Sequence, residues 1–520
     1  MAIKRYEATK DTTITNAFRQ NLTTRGTGSS MGKADILETF SIYAQATSGS
    51  TELSRVLLEF PVSGSSTGEI KQDRADGTIP ASGSVNFYLR LYNAKHSQTL
   101  PVDPKFNVLA VSQSWSEGHG LDMEEYKDFG TCNWLDRDDN NSWTTIGGDY
   151  HTGSYVPGTT LPTYTTTLAK AEDDIFVDVT SLVEEWIAGS SDSGRQNYGL
   201  AVFFTSSQEA YYSSSTGLNS DNQIHNVSGA KRSFYTKKFF GRGSEFFFKR
   251  PAIEARWDSS LKDNRGDFYY SSSLAPASDN ENTLVLYNRV RGQLKNIPRI
   301  GTGEIFVNIY SGSADNSEPN TQKLLPSSGT YVQSHSPTVI TGGHHDTGIY
   351  TASFALTSST ANLTKVFDVW SGSVDGEYFT GSFKPKSIET EEINPLSSFY
   401  ININNLHHAY TTDETARFRI FVRDRDWKPT IYTVASNTIE NKIIDKAFYR
   451  VYRIYDNLDV IGYGTGSDNH TKLSYDVSGS YFDLNMNLLE AGYMYGIKFV
   501  FNYNGQYMEQ KEEFKFRVEE

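Results

Sequence analysis

A chain of 520 residues is too long for one ordinary hydrophobic core, so about two to four domains are expected. Apolar residues make up 37% and aromatics 13%, with abundant Gly, Ser and Thr, a composition that suits pleated sheets and points to an all-β chain. The net charge of −14 is spread without a basic tail, which argues against nucleic acid as a partner, and the single Cys132 excludes an internal disulfide framework and a multi-cysteine zinc site.

The first residues, MAIKRYEATKDTTIT, hold no apolar core of a secretory signal, and no run approaches eighteen consecutive apolar residues. The expectation is a protein made and kept inside a cell, with no membrane partner. The sequons at Asn21, Asn140, Asn226, Asn362 and Asn469 are then read as chance matches in a Ser/Thr-rich chain.

Strand signals begin with ETFSIYAQA (38–46) and SRVLLEFPV (54–62), two β-branched and aromatic runs separated by the turn former TSGST. SVNFYLRLYNA (84–94) places Val85, Phe87, Leu89 and Leu91 on one face, and KFNVLAVSQSW (105–115) follows. This spacing predicts a sandwich or jelly roll. Between 116 and 170 the alternation dissolves into a Gly- and Asp-rich stretch carrying Trp134, Trp143 and Tyr150. An irregular insertion of that length is expected to be functional or to lock onto a neighbour. The three aromatics are candidate partner-binding anchors, with cover for their own sheet as the other reading.

FVDVTSLVEEWIAGS (176–190) predicts the one short helix of the first domain. Ser181 and Glu184 fit a capping box, Leu182, Val183, Trp186 and Ile187 share a face, and Gly189 suits a left-handed C-terminal position. Glu184 and Glu185 are expected in solvent. YGLAVFFT (198–205) reads as a buried strand and SEFFFKRPAIEARW (244–257) as the closing one. Between them, the most cationic stretch, 231–251, interleaves Lys237, Lys238 and Arg242 with aromatics. It is either a strand pair with protective charged edges or a docking surface for an acidic subunit.

Residues 258–282 are polar and read as a linker. Beyond it, GIYTASFAL (348–356) with 364–383, and SYFDLNMNL (480–488) with 493–514, share one order: strand, connection, strand, tight turn, strand. Their turns, Asp375-Gly376 and Asn504-Gly505, are two-residue hairpin signals 504 − 375 = 129 residues apart. The expected organisation is an N-terminal sandwich over 1–258 and two immunoglobulin-like sandwich modules over 259–390 and 391–520.

No residue pattern specifies catalysis. DRDDNN sets Asp136, Asp138 and Asn140 in the alternation of a calcium loop, but Asn141 stands where that loop needs Gly and Gly147 where it needs an acid, so a solvated acidic loop is the preferred reading. His344-His345 and His407-His408 lack metal-ligand spacing, and neither a G-x-S-x-G elbow nor a phosphate loop is present. The expectation is a non-enzyme without cofactors.

SRVLLEFPV, VNFYLRLY, VLAVSQSWSEG, FVDVTSLVEEWIAG, YGLAVFF and KRPAIEARW stand in the order of a DNRLRE-type domain, and residues 1–258 resemble that β-sandwich family of surface assemblies. The resemblance implies that Asp178, Val179, Thr180, Leu182, Val183 and Trp186 form a clasp packing across the sandwich. The chain departs from the family in the long insertion over 120–150. With 233–276, that longer version resembles structural proteins of tailed bacteriophages. The likeness implies a virion subunit assembled in the host cytoplasm, self-associating and docking on other virion proteins in the head, neck or tail. A carbohydrate-binding surface module is the other reading, because exposed Tyr and Trp stack on sugar rings.

Overall fold

A computed structural model describes the chain apart from residues 1, 65, 123–129, 157–159, 190–194, 215–221, 313–322, 330, 333–337, 359–362, 364, 374–375, 389–397, 426–440 and 504. The protein is all-β with sandwich architecture, and it divides into two compact units, Ala2–Asp258 and Ser259–Glu520.

The first unit contains β1 (Ile3–Glu7), β2 (Lys10–Thr15), β3 (Ile36–Tyr43), β4 (Thr51–Glu59), α1 (Ile70–Ala75), β5 (Asn86–Leu91), β6 (Lys105–Ala110), β7 (Thr163–Thr167), β8 (Ile175–Asp178), α2 (Thr180–Ala188), β9 (Leu200–Phe204), β10 (Phe234–Phe240) and β11 (Ala252–Arg256). A four-stranded sheet, β1-β11-β5-β8, belongs to the same core as a seven-stranded one, β10-β3-β4-β9-β6-β7, in which β2 also pairs with β4. Period-two alternation explains β5, which sends Phe87, Leu89 and Leu91 inward to meet Val56, Leu58, Phe106, Val202 and Phe204. β9 is apolar throughout because both of its faces are covered. Leu200, Val202 and Phe204 enter this core, while Ala201 and Phe203 enter a second one on the outer face of the same sheet.

The helix α2 buries Leu182, Val183 and Trp186 in the inner core, with Ile187 packed against it. Its start corrects the capping-box reading: Val179 is the N-cap, no side chain caps it, and Ser181 lies within the helix. Asp178 Oδ1 instead accepts the Thr180 N–H at 2.9 Å, and Thr180 Oγ1 accepts the Phe87 N–H at 2.8 Å, tying the helix start to β5. Gly189 has φ +70°, the positive value expected at the helix end. Glu184 is not left in solvent. It takes both guanidinium arms of Arg74 at 2.5 and 2.7 Å, from α1, a second helix that its short polar sequence concealed.

In the second unit, β12 (Asn282–Tyr287), β13 (Arg289–Val290), β14 (Gln293–Leu294), β15 (Ile305–Gly312), β16 (Lys323–Leu324), β17 (Ile340–Asp346), β18 (Ile349–Phe354), β19 (Lys365–Ser371) and β20 (Glu377–Phe383) come first. All but β13 and β14 form a sheet ordered β12-β18-β17-β15-β19-β20, with β16 on β15. β17 changes partner along its length. Residues 340–342 pair with β15, residues 343–346 with β18, and Gly342 and Gly343 sit at the switch. A Cβ at Gly342 would lie 2.6 Å from the Thr351 carbonyl oxygen, so this close approach requires glycine.

Next come β21 (Phe399–Ile403), β22 (Ala409–Thr411), β23 (Thr415–Asp424), β24 (Ala447–Arg453), β25 (Leu458–Ile461), β26 (Ser474–Asp476), β27 (Gly479–Asn485), β28 (Met494–Tyr503), β29 (Gln506–Glu509) and β30 (Phe514–Glu519). A sheet β21-β23-β27-β26 lies in the same module as β22-β30-β28-β24-β25, where β29 adds to β28 and β22 runs parallel to β30. Phe482 stacks on Phe418 at 5.0 Å and on Tyr449 at 4.0 Å, linking the two sheets. The two similar sequence stretches follow β18, β19 and β20, and β27, β28 and β29. Tyr503 pairs with Gln506, and Asp375 and Asn504 of the expected turns lie outside the described residues.

The linker reading of 258–282 is corrected. Asp263 N–H donates to the Tyr475 carbonyl at 3.0 Å, the Tyr475 N–H to the Leu261 carbonyl at 3.0 Å, and Asn264 N–H to Thr283 O at 2.8 Å. Arg265 is held between Asp263 and Asp368 at 3.0 and 2.6 Å, while Phe268 stacks on Phe383 at 4.4 Å. A polar sequence reads as linker by composition, yet here its polar groups complete internal hydrogen bonds.

Candidate interaction surfaces

The insertion after β6 wraps the outer face of the seven-stranded sheet and builds the second core of the first unit. Trp134 is 0% and Trp143 5% exposed, packed with Ile14, Leu53, Leu57, Leu109, Cys132 and Phe203. Both indole N–H groups are spent on main-chain carbonyls, Trp134 on Asn222 at 3.2 Å and Trp143 on Asn133 at 3.0 Å. Tyr150 packs against the same core and donates its hydroxyl to Gly147 O; burial pushes that hydroxyl up to about 12. The partner-anchor reading of Trp134, Trp143 and Tyr150 is therefore corrected: they cover their own sheet. Arg55 lies among them, 4.3 Å from the Phe203 ring, paired with the buried Glu209 at 3.6 Å.

The cationic stretch is corrected in the same way. Lys237 is 0% exposed, and its ammonium donates to Asn93 Oδ1, Ala171 O and Asp173 O at 2.7, 2.6 and 2.8 Å. Lys238 pairs across the strands with Glu38 at 2.6 Å. Arg242 bridges to Glu117 at 2.6 Å, and its N–H donates to Asp11 Oδ2 at 2.5 Å. These three cations are committed within the first unit.

What the stretch leaves outside lies a few residues further on. Phe246 and Phe247, 38% and 45% exposed, run into a 3₁₀ turn over Phe247–Lys249. Phe240 meets Phe246 edge-on at 5.4 Å, Lys249 stands 5.1 Å from the Phe240 ring, and Arg250 stands 5.5 Å from the Phe247 ring. Arg250 is also paired with Glu7 at 3.6 Å and donates to Ser244 O at 3.0 Å, so these cations chiefly order the exposed rings. The run EFFFKR was legible as basic and aromatic; which of its residues face outward was not, because a 3₁₀ turn breaks strand alternation.

Asp136, Asp138 and Asn140 form a hydrogen-bonded turn. Asp136 Oδ1 accepts from the Ser142 hydroxyl at 2.7 Å, and Asp138 Oδ1 accepts from the Asn140 N–H at 3.0 Å and the Asn141 amide at 2.7 Å. These bonds hold the Asp138 carboxyl below its ordinary value. Among the described residues no group of three His, Cys, Asp or Glu side chains is arranged to hold a metal.

In the second unit, an open groove of about 1020 Å³ is lined by Asn264, Asp267, Tyr269, Glu281, Lys386 and Asp445, among others. Lys386 pairs with Asp267 at 3.0 Å, and Lys262 with Asp445 at 2.7 Å.

No protein-family model and no curated protein matches the chain. Among solved structures, similarity is found to a marsupial T cell receptor at 9% identity, over 49% of this chain and 70% of that one, with a TM-score of 0.15. The N-terminal Ig1-2 module of the Drosophila receptor protein tyrosine phosphatase DLAR matches at 7% identity, over 46% and 91%, with a TM-score of 0.14. A DUF4785 family protein from Legionella pneumophila matches at 8% identity, over 93% and 90%, with a TM-score of 0.13. At these TM-scores no functional conclusion passes from those proteins to this chain.

Proposed function

We propose that the chain is a non-enzymatic structural subunit of a tailed-bacteriophage particle, in the head, neck or tail, that self-associates and docks on other virion proteins. The observation that carries docking is the exposed Phe246–Phe247 pair with Lys249 and Arg250 beside it. Aromatic anchors with neighbouring cations are the chemistry of interface hot spots. The resemblance of residues 1–258 to DNRLRE-type domains supplies the biological setting. Replacing both Phe246 and Phe247 by Ser should weaken incorporation into particles by a factor of roughly 30 or more, the effect of losing about 2 kcal/mol of hot-spot energy, with the melting temperature nearly unchanged. A labelled protein that never marks intact particles and stays monomeric at high concentration would remove this reading.

A carbohydrate-binding surface module is the second reading, favoured by the open groove where Tyr269 stands among amide, carboxylate and ammonium groups. Binding on a glycan array that is lost in Tyr269→Ala would support it. A silent array would set it aside.

A further inference from the structure

The seven-stranded sheet of the first unit ends at β10 on one side and β7 on the other. The β10 side is covered by residues 92–99: Thr236 N–H donates to Thr99 O at 3.0 Å, Phe240 N–H to Tyr92 O at 3.1 Å, and Ala94 N–H to Lys238 O at 3.0 Å. Among the described residues, no backbone hydrogen bond covers the β7 side. Along β7, Thr163 pairs with Leu109, Thr165 with Asn107 and Thr167 with Lys105, and the next residue, Leu168, donates its N–H to Pro104 O at 2.9 Å. Antiparallel pairing alternates hydrogen-bonded and non-bonded positions. The Leu168 bond therefore fixes Tyr164 and Thr166 as the residues bonded to β6, and turns the N–H and C=O groups of Thr163, Thr165 and Thr167 outward.

This edge lacks the usual guards. Thr163–Thr167 reads TYTTT, without charge, proline or bulge, and Thr163, Thr165 and Thr167 are exposed. By contrast β1, at the edge of the other sheet, carries Lys4, Arg5 and Glu7. The outward positions are Thr, Thr and Thr, a pattern unchanged when the strand is reversed, so a second β7 running antiparallel presents a donor to every acceptor.

We propose that two copies of this chain associate through β7, pairing antiparallel about a two-fold axis at Thr165 and joining their seven-stranded sheets. Thr165 faces Thr165 of the second copy, Thr163 faces Thr167, and each of these three pairs exchanges two N–H···O bonds. The proposal rests on the self-association part of the function proposed above and specifies its geometry.

Cysteine cross-linking of the full chain tests it. Hydrogen-bonded antiparallel residues have Cα atoms about 5.5 Å apart, within the roughly 4.4–6.8 Å span of a disulfide. Thr165→Cys should form a covalent dimer under mild oxidation. Thr163→Cys alone should give no covalent dimer, and the Thr163→Cys/Thr167→Cys double variant should cross-link again. Cys132 is buried and does not compete. In sedimentation, Thr165→Lys should lower association at least tenfold while leaving the melt unchanged. No cross-link through Thr165→Cys, or equal cross-linking through Thr163→Cys, overturns the proposal. A register-specific cross-link in a protein absent from particles would leave β7 pairing standing and remove only the virion reading.

Discussion

Trp143 and Trp134 are residues whose removal should cost the first unit heavily. Each fills the second core and satisfies its indole N–H internally, so Trp143→Ala loses about 3–5 kcal/mol of stability, read as a lower denaturation midpoint at unchanged slope. Two buried carboxylates respond to pH with opposite signs. Burial pushes Asp11 up to about 6 against an ordinary 3.8, with Arg242 offsetting part of that cost. The folded protein therefore holds a proton that the unfolded chain has released, and stability from Asp11 falls as pH rises from about 4 to 6, by up to about 3 kcal/mol. Asp11→Asn should flatten that part of the profile in denaturant titrations. Burial also disfavours the charge of Glu254, but Arg5, Arg90 and Arg256 outweigh it and hold the carboxyl below the carboxylate range. Its contribution is present above the unfolded value of 4.5 and is lost as pH falls toward the depressed folded value. Glu254→Gln should cost about 3–5 kcal/mol at neutral pH, because three guanidiniums would lose their shared anion.

At the scale of elements, α2 shows how a short helix is specified without a side-chain cap. Its amphipathic residues were readable in sequence, and Leu182, Val183 and Trp186 are buried as that pattern requires. Its start is decided by Thr180, which accepts the Phe87 N–H from a strand 93 residues away in sequence. Thr180→Val should cost about 1–2 kcal/mol by orphaning that N–H, and Thr180→Ser should restore most of it; thermal melts of the two variants check the difference. The strands β5 and β9 were legible because alternation and continuous apolarity each report how many faces are covered. α1 was not, since six residues with Ile70 as their main apolar contact carry too little periodicity.

For the molecule as a whole, Ala2–Asp258 has its own core and pairs its first strand, β1, with its last, β11, so it should fold when expressed alone. A single cooperative thermal transition with dispersed amide resonances is the expected result; a molten fragment would contradict it. The stretch from 259 to 282 should resist proteolysis in the intact chain, because Asp263, Arg265 and Phe268 are built into the second unit.

The sequence by itself determined the all-β class, the strand faces and the apolar side of α2, because those follow from side-chain periodicity over a few neighbouring residues. It also narrowed the surface candidates to the aromatic and basic segments. Tertiary structure alone decided which of those residues reach the surface. Trp134, Trp143, Tyr150 and Lys237 are covered by segments remote in sequence, among them Ile14 and Leu53 for the aromatics and Asn93 for Lys237, while Phe246, Phe247 and the outer positions of β7 stay exposed. Whether an aromatic or a charged group is core or contact depends on what packs over it, and local sequence carries no record of that partner.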